Sequence, residues 1–296
     1  MMPTHQPELE MDTGIFETLG ESMRKTAALE ILFWESAIPT GIDVLDERIG
    51  GLRPRELTLM AYDDPLIYPQ VLQQLIESVA VTQKLPVLVI CFGTGLREFN
   101  AKLFRAKDPQ SRLWGRKDPN NAEPDWKNLE PWVAAPIYVT QPIPGAGFEY
   151  IEHEIDKLVD RLGKVGLTVI EGIDHLNIWA NPQYRSENPG ASWADLSARA
   201  KWLAMSHNCP VVLDTRIVNN TPDAGHLANP TTRELPYQGA VANSADLVCF
   251  LEKFSYLQNG RAFQLRTGFS RNGLYALVDL VHDHDSGQIK AVSENP

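Results

Sequence analysis

The stretch that decides the fold is Ile38-Pro39-Thr40-Gly41-Ile42-Asp43-Val44-Leu45-Asp46, followed by Gly50-Gly51-Leu52-Arg53-Pro54-Arg55-Glu56-Leu57-Thr58-Leu59-Met60-Ala61. Its last five residues form a mostly apolar run, which is typical of a buried β-strand. From Pro39 onward, short apolar runs alternate with segments of helical periodicity. This alternation indicates βα units arranged around a largely parallel sheet.

The same alternation predicts the individual elements. The predicted strands lie at 57–61, 87–91, 137–139, 167–170, 211–213 and 247–251. The predicted helices lie at 69–82, 96–106, 148–162 and 192–207. Two late β segments, 263–267 and 275–282, flank Arg271-Asn272-Gly273, where Asn-Gly is a strong hairpin turn signal. The prediction is an α/β fold with a central, mostly parallel sheet between helices and a C-terminal β-hairpin.

Three polar stretches interrupt this pattern, at 108–131, 179–191 and 219–236. They are rich in Pro, Asn and Gly, and they are longer than ordinary connections between elements. We therefore interpret them as functional loops or insertions.

The composition is that of an ordinary globular protein, with 296 residues of which 43% are hydrophobic and 22% charged. The net charge of −11 argues against broad adhesion to phosphate backbones or anionic membranes, although a local basic patch stays open. Residues 1–50 hold ten acidic side chains against three basic ones. We interpret 1–35 as an acidic N-terminal arm or docking helix, and 36–296 as a single core domain.

The cysteines and the N-terminus bear on the compartment. Cys91, Cys209 and Cys249 lie in apolar runs without CxxC spacing, so neither a disulfide framework nor a zinc site is indicated. The first residues lack a basic and then apolar signal, and no apolar run reaches the length of a membrane span. These features predict a cytoplasmic protein without a membrane partner.

The opening stretch resembles the start of the C-terminal RecA-like motor domain of DnaB-type replicative DNA helicases. In that family Thr-Gly, Leu-Asp and Gly-Gly-Leu precede the first strand, and a phosphate-binding loop follows it. Further similar segments occur in the same order at 134–173, 197–213, 239–248 and 271–273, so the resemblance covers about residues 36–292. It implies a RecA-like P-loop NTPase fold, and in the family that fold binds ATP and Mg²⁺.

The loop after the first predicted strand departs from the family. A P-loop needs glycines whose backbone N–H groups converge on phosphate, a lysine, and a hydroxyl that binds Mg²⁺. The corresponding segment, Tyr62-Asp63-Asp64-Pro65-Leu66-Ile67-Tyr68-Pro69, contains no Gly, no Lys and no Ser or Thr, and Tyr68 stands at a catalytic position in it. Two like charges about 4 Å apart repel by about 4 kcal/mol at an effective dielectric of 20, so Asp63 and Asp64 would disfavour a nearby triphosphate. No cofactor is expected in this loop.

Other catalytic positions also differ from the family pattern. The resemblance places Gly93 at the general-base glutamate, Glu171 at the metal-associated aspartate, and Arg216 at the polar sensor. Because residue 93 carries no carboxylate, the position that the resemblance assigns to the general base cannot activate the attacking water. Glu171 is a weak metal candidate, and a capping role is its alternative. At the hairpin Arg271 matches the family's interface arginine, while Phe269 replaces a lysine, so Arg271 is our candidate for a subunit interface or, alternatively, a solvated turn residue.

Nucleic-acid binding rests on a local basic patch. Residues 97–117 contain seven basic and two acidic side chains. Cations there could neutralise phosphates while a base stacks on the tryptophan ring, although such a run is often only a solvated face. The candidates are Arg105, Lys107, Arg112, Trp114, Arg116 and Lys117, together with Arg185 and Arg233 in the segments that resemble the family's channel loops.

Three functional hypotheses follow. The first is a catalytically degenerate helicase relative that acts as a non-hydrolysing scaffold or regulator in DNA replication or recombination. Its partners would be its own copies in a ring or other oligomer, a helicase, or another replication protein. The second is an active ATP- and Mg²⁺-dependent helicase with an atypical phosphate loop. The third is an ATP-independent module that binds single-stranded DNA.

Overall fold

In the computed structural model the described residues are 18–107, 126–143, 145–173, 175–176, 189–218, 230–257, 260–283 and 288–292. The chain divides into two compact units, 1–36 and 37–296. The first unit contains helix α1 (Leu19–Glu35). At its start the carboxylate of Glu21 accepts hydrogen bonds from the backbone N–H and the hydroxyl of Thr18, 3.0 Å and 2.6 Å long. The first of these bonds provides a partner for the backbone N–H of Thr18, which has none within the helix itself.

The second unit is built on one sheet, in which the described residues form nine strands in the order β3-β2-β4-β5-β1-β6-β7-β8-β9. The strands from β3 to β6 run parallel, and those from β6 to β9 run antiparallel. Their bounds are β1 Leu57–Tyr62, β2 Val87–Cys91, β3 Ile137–Thr140, β4 Leu167–Glu171, β5 Val211–Arg216, β6 Leu247–Leu257, β7 Gly260–Ser270, β8 Leu277–Asp283 and β9 Gln288–Ala291.

Helices connect and cover these strands. Their bounds are α2 Asp43–Ile49, α3 Tyr68–Ile76, α4 Leu96–Lys107, α5 Trp126–Val133, α6 Phe148–Leu162 and α7 Pro189–Ser206, and α3 continues as a π-helical turn at Glu77–Thr82. Helix α6 illustrates why they form: Phe148, Ile151, Ile155 and Leu158 recur every three or four residues and are buried, and Gly163 ends the helix in the left-handed conformation. Among the helices of the described ranges, none is long and apolar enough to cross a membrane.

The core lies on both faces of the sheet because side chains along a strand alternate in direction. Met60 and Val89 belong to one buried cluster, whereas their neighbours Leu59 and Ile90 belong to the other. A sheet covered on both faces requires central strands that are apolar throughout. This is why the continuous runs at 87–91 and 167–170 marked strands so clearly.

The segment that precedes β1 is held in place by its own polar groups. The carboxylate of Asp46 in α2 accepts hydrogen bonds from the backbone N–H groups of Thr40 (2.9 Å) and Gly41 (3.2 Å). Gly51 has φ +87°, and a Cβ there would lie 2.7 Å from the carbonyl oxygen of Ile38. Position 51 therefore requires glycine, and the tight turn that this glycine permits directs the chain into β1.

The predicted fold class is confirmed: a RecA-like α/β sheet with helices on both sides and antiparallel strands after residue 246. The interpretation of 108–131 as loop is wrong at its end, because α5 begins at Trp126. Likewise α7 begins at Pro189, inside the stretch expected to be loop up to residue 191. Sequence patterning also missed β9 and the short helix α2. Both are too short for a periodic signal: β9 has four residues and pairs with β8, and α2 has seven residues, of which Leu45 and Ile49 are buried.

Candidate functional site

A cavity of about 330 Å³ lies where the parallel strands β1, β2, β4 and β5 end. In open α/β sheets ligand sites form at these carboxyl ends. The cavity is lined by Tyr62, Pro65, Tyr68, Pro69, Gly93, Thr94, Lys102, Glu171, Gly172, Ile173, His175, Asp214, Thr215 and Arg216. The structure thus brings together all four candidate catalytic positions, Tyr68, Gly93, Glu171 and Arg216, with Tyr62, Pro65 and Pro69 of the candidate phosphate loop.

The loop after β1 uses its polar groups within the protein. The carboxylate of Asp63 accepts a hydrogen bond from the backbone N–H of Lys253 on β6, at 3.2 Å and 3.3 Å from its two oxygens. The carboxylate of Asp64 accepts from the backbone N–H of Leu66 at 2.8 Å. Neither aspartate is among the residues that line the cavity. The repulsion of a triphosphate that we expected from these two acids therefore acts from outside the cavity. The carboxylates that line the cavity are those of Glu171 and Asp214.

Tyr68 begins α3 and is 3% exposed. Its ring stacks on that of Tyr62, with 5.0 Å between centroids and 11° between planes. Burial raises the pKa of both phenols above its ordinary value, and the negative charge of Asp214 raises it further. Both side chains therefore stay neutral at physiological pH. Tyr68 thus places an uncharged ring, stacked on Tyr62 at the end of β1, at the start of this helix, where a P-loop has its lysine.

Gly93 and Gly172 form a close backbone contact beside the cavity. A Cβ on Gly93 would lie 2.9 Å from the Cα of Gly172, and a Cβ on Gly172 would lie 2.1 Å from the backbone nitrogen of Gly93. Gly172 also has φ +82°, in the left-handed region that side chains disfavour. Position 93 therefore has no space for a side chain unless the turn after β2 moves.

The carboxylate of Glu171 joins β4 to the turn after β2. Its Oε2 accepts hydrogen bonds from the backbone N–H groups of Gly93 (3.1 Å) and Thr94 (2.9 Å). These bonds give Glu171 the capping role that we considered as the alternative to a metal ligand. Within the described ranges, no group of three or more His, Cys, Asp and Glu side chains could hold a metal ion.

Asp214, like Thr94 and Thr215, is a cavity residue that sequence patterning missed. It lies near the end of β5 and is 3% exposed, and its Oδ1 accepts hydrogen bonds from the backbone N–H groups of Gly172 (2.7 Å) and Ile173 (3.4 Å). Its Oδ2 accepts from the hydroxyl of Tyr62 at 3.3 Å. The available signal was an acidic residue within the last residues of a strand, as Glu171 is, although Glu171 itself was indicated by the family resemblance. Arg216, two residues further on, is exposed and lines the cavity, and its positive charge opposes the rise in the pKa of Tyr62.

Arg271 lies near the amino ends of the parallel strands, opposite the carboxyl ends that surround the cavity. Its Nε is 3.1 Å from Oδ1 of Asp246, while its side chain is 54% exposed. Asp246 is buried, and its Oδ2 also accepts from Nζ of Lys201 (2.6 Å) and from the backbone N–H of Leu57 (2.8 Å). Because Leu57 begins β1, this cluster marks the amino ends of the parallel strands. The structure therefore does not bring Arg271 together with the cavity of its own chain.

Most of the nucleic-acid candidates fall outside the described parts of the chain. The candidates outside the described ranges are Arg112, Trp114, Arg116, Lys117 and Arg185. Two more, Arg105 and Lys107, belong to α4, but their side chains are not described. Arg233 is exposed in a 3₁₀ turn (Thr232–Glu234), and its backbone N–H donates to the hydroxyl of Thr231 at 3.3 Å. DNA contact stays a prediction.

Comparison with known proteins yields consistent matches. A family model described as "DnaB-like helicase C terminal domain" matches residues 37–291. A solved structure described as an ATPase domain aligns at a TM-score of 0.75 and 16% identity over 94% of this chain and 100% of that one. Another, "The Structure Of A DnaB-Like Replicative Helicase And Its Interactions With Primase", aligns at a TM-score of 0.74 and 16% identity over 93% of this chain and 67% of that one. At this identity the structural likenesses show the fold alone.

Proposed function

Because the chain belongs to the family of DnaB-like helicase C-terminal domains, we propose that it is a member that does not hydrolyse ATP and that acts as a scaffold or regulator in DNA replication or recombination. In this proposal the fold retains the surfaces for assembly and has lost the chemistry of the motor. Fold alone does not imply function, so the geometry of the cavity has to support the proposal.

The observation that carries the proposal is the contact between Gly93 and Gly172. Hydrolysis of ATP needs a group that orients or deprotonates the attacking water. The resemblance places that group at residue 93, where a Cβ would lie 2.9 Å from the Cα of Gly172. Glu171, the carboxylate that contacts this turn, already accepts from Gly93 N–H and Thr94 N–H.

The loop after β1 offers little to a phosphate. A P-loop works because several backbone N–H groups point at the phosphate oxygens. Here the N–H groups of Asp63, Leu66 and Ile67 donate to the carbonyl of Leu251, the carboxylate of Asp64 and the carbonyl of Asp64, respectively. With the Tyr62–Tyr68 stack in place of a lysine, this loop supports neither ATP nor Mg²⁺ as a cofactor.

The proposed partners are further copies of the chain, a helicase, or another replication protein. One of the two solved structures is described with its interactions with primase, which makes a primase or helicase a reasonable first partner to test. Arg271 is our candidate for the interface, because its guanidinium is held by Asp246 and is still half-exposed. DNA binding through residues 97–117 and a cytoplasmic location are further parts of the proposal.

The deciding experiment is release of phosphate from ATP by the full chain at millimolar ATP and Mg²⁺, with and without single-stranded DNA. We expect no release above the buffer blank. The proposal fails if the protein hydrolyses ATP at a rate that Glu171→Gln abolishes and that Glu154→Gln leaves unchanged. Glu154 is a matched control because it pairs with Lys157 on the surface of α6, away from the cavity.

Assembly is tested by the mass in light scattering, with and without ATP and a replicative helicase. We expect either a homo-oligomer or a complex with the helicase, in both cases independent of ATP. A monomer that also ignores the helicase would remove the scaffold role. ATP-dependent assembly would instead favour the active helicase with an atypical phosphate loop.

A further inference from the structure

The loops that lead into four central parallel strands lie side by side at the amino ends of those strands, on the opposite side of the sheet from the cavity. We call these loops the entry rim: residues 82–86 before β2, 163–166 before β4, 207–210 before β5 and 53–56 before β1. Backbone hydrogen bonds of 2.7 to 3.0 Å join neighbouring members, from the N–H groups of Gly166, Thr168 and Val211 to the carbonyls of Pro86, Pro210 and Glu56, respectively. Because adjacent strands lie about 4.8 Å apart, the entry rim is a continuous surface about 14 Å long.

The entry rim carries cations that no carboxylate neutralises. Lys84 and Lys164 are exposed and Arg55 is half-buried, and none of the three forms an ion pair within the described part of the chain. The single acidic residue of the rim, Glu56, is paired with Arg53 at 3.3 Å. The rim therefore has a surplus of three positive charges, in a chain whose net charge is −11.

The acids beside the entry rim do not cancel this surplus. Asp246 already holds both Lys201 (2.6 Å) and Arg271 (3.1 Å), so that cluster adds a further positive charge. Asp156 and Asp160 in the last two turns of α6 oppose it. This side of the sheet thus stays positive.

Two of the rim cations are present at a conformational cost. Arg55 has φ +67° and Lys84 has φ +59°, in the left-handed region that glycine adopts more readily than any other residue. Such strain is common at functional sites. Lys84 and Lys164 also follow the ends of helical segments, where a cation interacts favourably with the helix dipole. A decisive test must therefore separate binding from helix stability.

An exposed aromatic ring lies close to the entry rim. Trp202 in α7 is 61% exposed. It directly follows Lys201, whose Nζ donates to the carbonyl oxygen of Arg55 at 2.7 Å. Proteins bind single-stranded nucleic acid with cations that neutralise the phosphates and with aromatic rings on which the bases stack. The entry rim and Trp202 supply both kinds of group.

We propose that the entry rim and Trp202 form a binding surface for single-stranded nucleic acid. Arg55, Lys84 and Lys164 neutralise backbone phosphates, and a base stacks on the indole of Trp202. This surface is separate from residues 97–117, so the inference goes beyond the DNA contact in the proposed function. The cations would also attract an acidic protein segment, but the exposed indole favours an occupant that carries flat bases.

The test is the fluorescence anisotropy of a labelled oligothymidine, titrated with the full chain at several salt concentrations. For a single strand, each phosphate contact contributes about 0.7 to the slope of log affinity against log salt. The rim triple variant should therefore reduce the slope by about 2, and it consists of Arg55→Gln, Lys84→Gln and Lys164→Gln. A control triple should leave the slope unchanged, because it removes the same charge from α5, β6 and β9: Lys127→Gln, Lys253→Gln and Lys290→Gln. Loss of a helix-dipole interaction lowers stability but does not change the number of phosphate contacts.

Trp202 provides a second variant that leaves the charge unchanged. Trp202→Ala should weaken binding about 5- to 100-fold, since stacking on one base is lost, and Trp202→Phe should retain most of the affinity. Binding as tight as that of the unaltered protein in Trp202→Ala would refute the stacking role.

Three other results would overturn the inference. They are no binding at low salt, equal slopes in the rim and control triples, and competition by a poly-glutamate peptide that matches the oligonucleotide, which would identify an acidic protein segment as the occupant. Binding that survives in the rim triple and is lost when Arg112, Arg116 and Lys117 are changed to Gln would place DNA on residues 97–117. That outcome would refute the inference and support the DNA contact of the proposed function. Phosphate release from ATP is measured separately, so the proposed lack of hydrolysis stands or falls on its own.

Discussion

Replacing Gly172 by alanine tests whether the close contact between Gly93 and Gly172 holds the cavity in shape. Two costs are expected. The first is conformational: at φ +82° a non-glycine residue in the left-handed region costs about 1–2 kcal/mol. The second is steric, because the new Cβ would lie 2.1 Å from the backbone nitrogen of Gly93 and 2.3 Å from its Cα, and backbone atoms cannot move aside as a flexible side chain can. Overpacking of this kind typically costs about 1–3 kcal/mol.

Gly163→Ala provides a matched control. Gly163 has φ +79° at the end of α6, and a Cβ there would meet nothing within 4 Å. Only the conformational cost applies to it. We therefore expect Gly163→Ala to lower the free energy of unfolding by about 1–2 kcal/mol and Gly172→Ala by about 2–5 kcal/mol, the sum of both costs.

Urea unfolding followed by circular dichroism measures both variants, with the slope of the transition as a check that the denatured state is unchanged. Equal losses for the two variants would refute the reasoning, because they would show that position 172 tolerates a side chain.

Further predictions concern single side chains. Tyr68→Phe should raise the free energy of unfolding by about 1–3 kcal/mol, because it removes a buried hydroxyl without a partner and keeps the ring. A loss of stability in urea would contradict this. Asp246→Ala should lower the free energy of unfolding by about 3–5 kcal/mol, since Lys201 and the N–H of Leu57 lose a buried acceptor. The control Asp195→Ala, which breaks only a surface pair with Arg199, should cost less than about 1 kcal/mol. Burial raises the pKa of Cys209 to about 11 and that of Cys249 to about 12, and raises that of Cys91 as well. A thiol whose pKa lies well above the pH of the solution stays protonated, and the thiolate is the reactive form. All three cysteines should therefore resist Ellman's reagent at about pH 8 in the folded protein and react with it in urea. Rapid labelling of the folded protein would contradict the structure.

Local patterning predicted those elements whose signal is contained in a few consecutive residues. Strand β2 occupies 87–91, as predicted, because it is a continuous apolar run between Pro86 and the turn at Gly93. Helix α6 also has its predicted bounds, because its apolar periodicity ends at Gly163. Helix α5 was missed, since it contains Pro131 and is held by buried Leu129 rather than by its own propensity. Strands β6 and β7 extend beyond their predicted ends, because the two strands pair with each other there.

By itself, the sequence determined the order of the strands along the chain, the family resemblance, the lack of a glycine- and lysine-containing phosphate loop, and the acidic residue that ends β4. Only the tertiary structure decided what surrounds the cavity: the stack of Tyr62 on Tyr68, the contact of Gly93 with Gly172, and the role of Asp214 as an acceptor for that turn. The physical reason is that periodicity reports on neighbours within a few residues. Positions 62, 93, 171 and 214 meet only when the crossover connections bring the carboxyl ends of four parallel strands to one edge of the sheet.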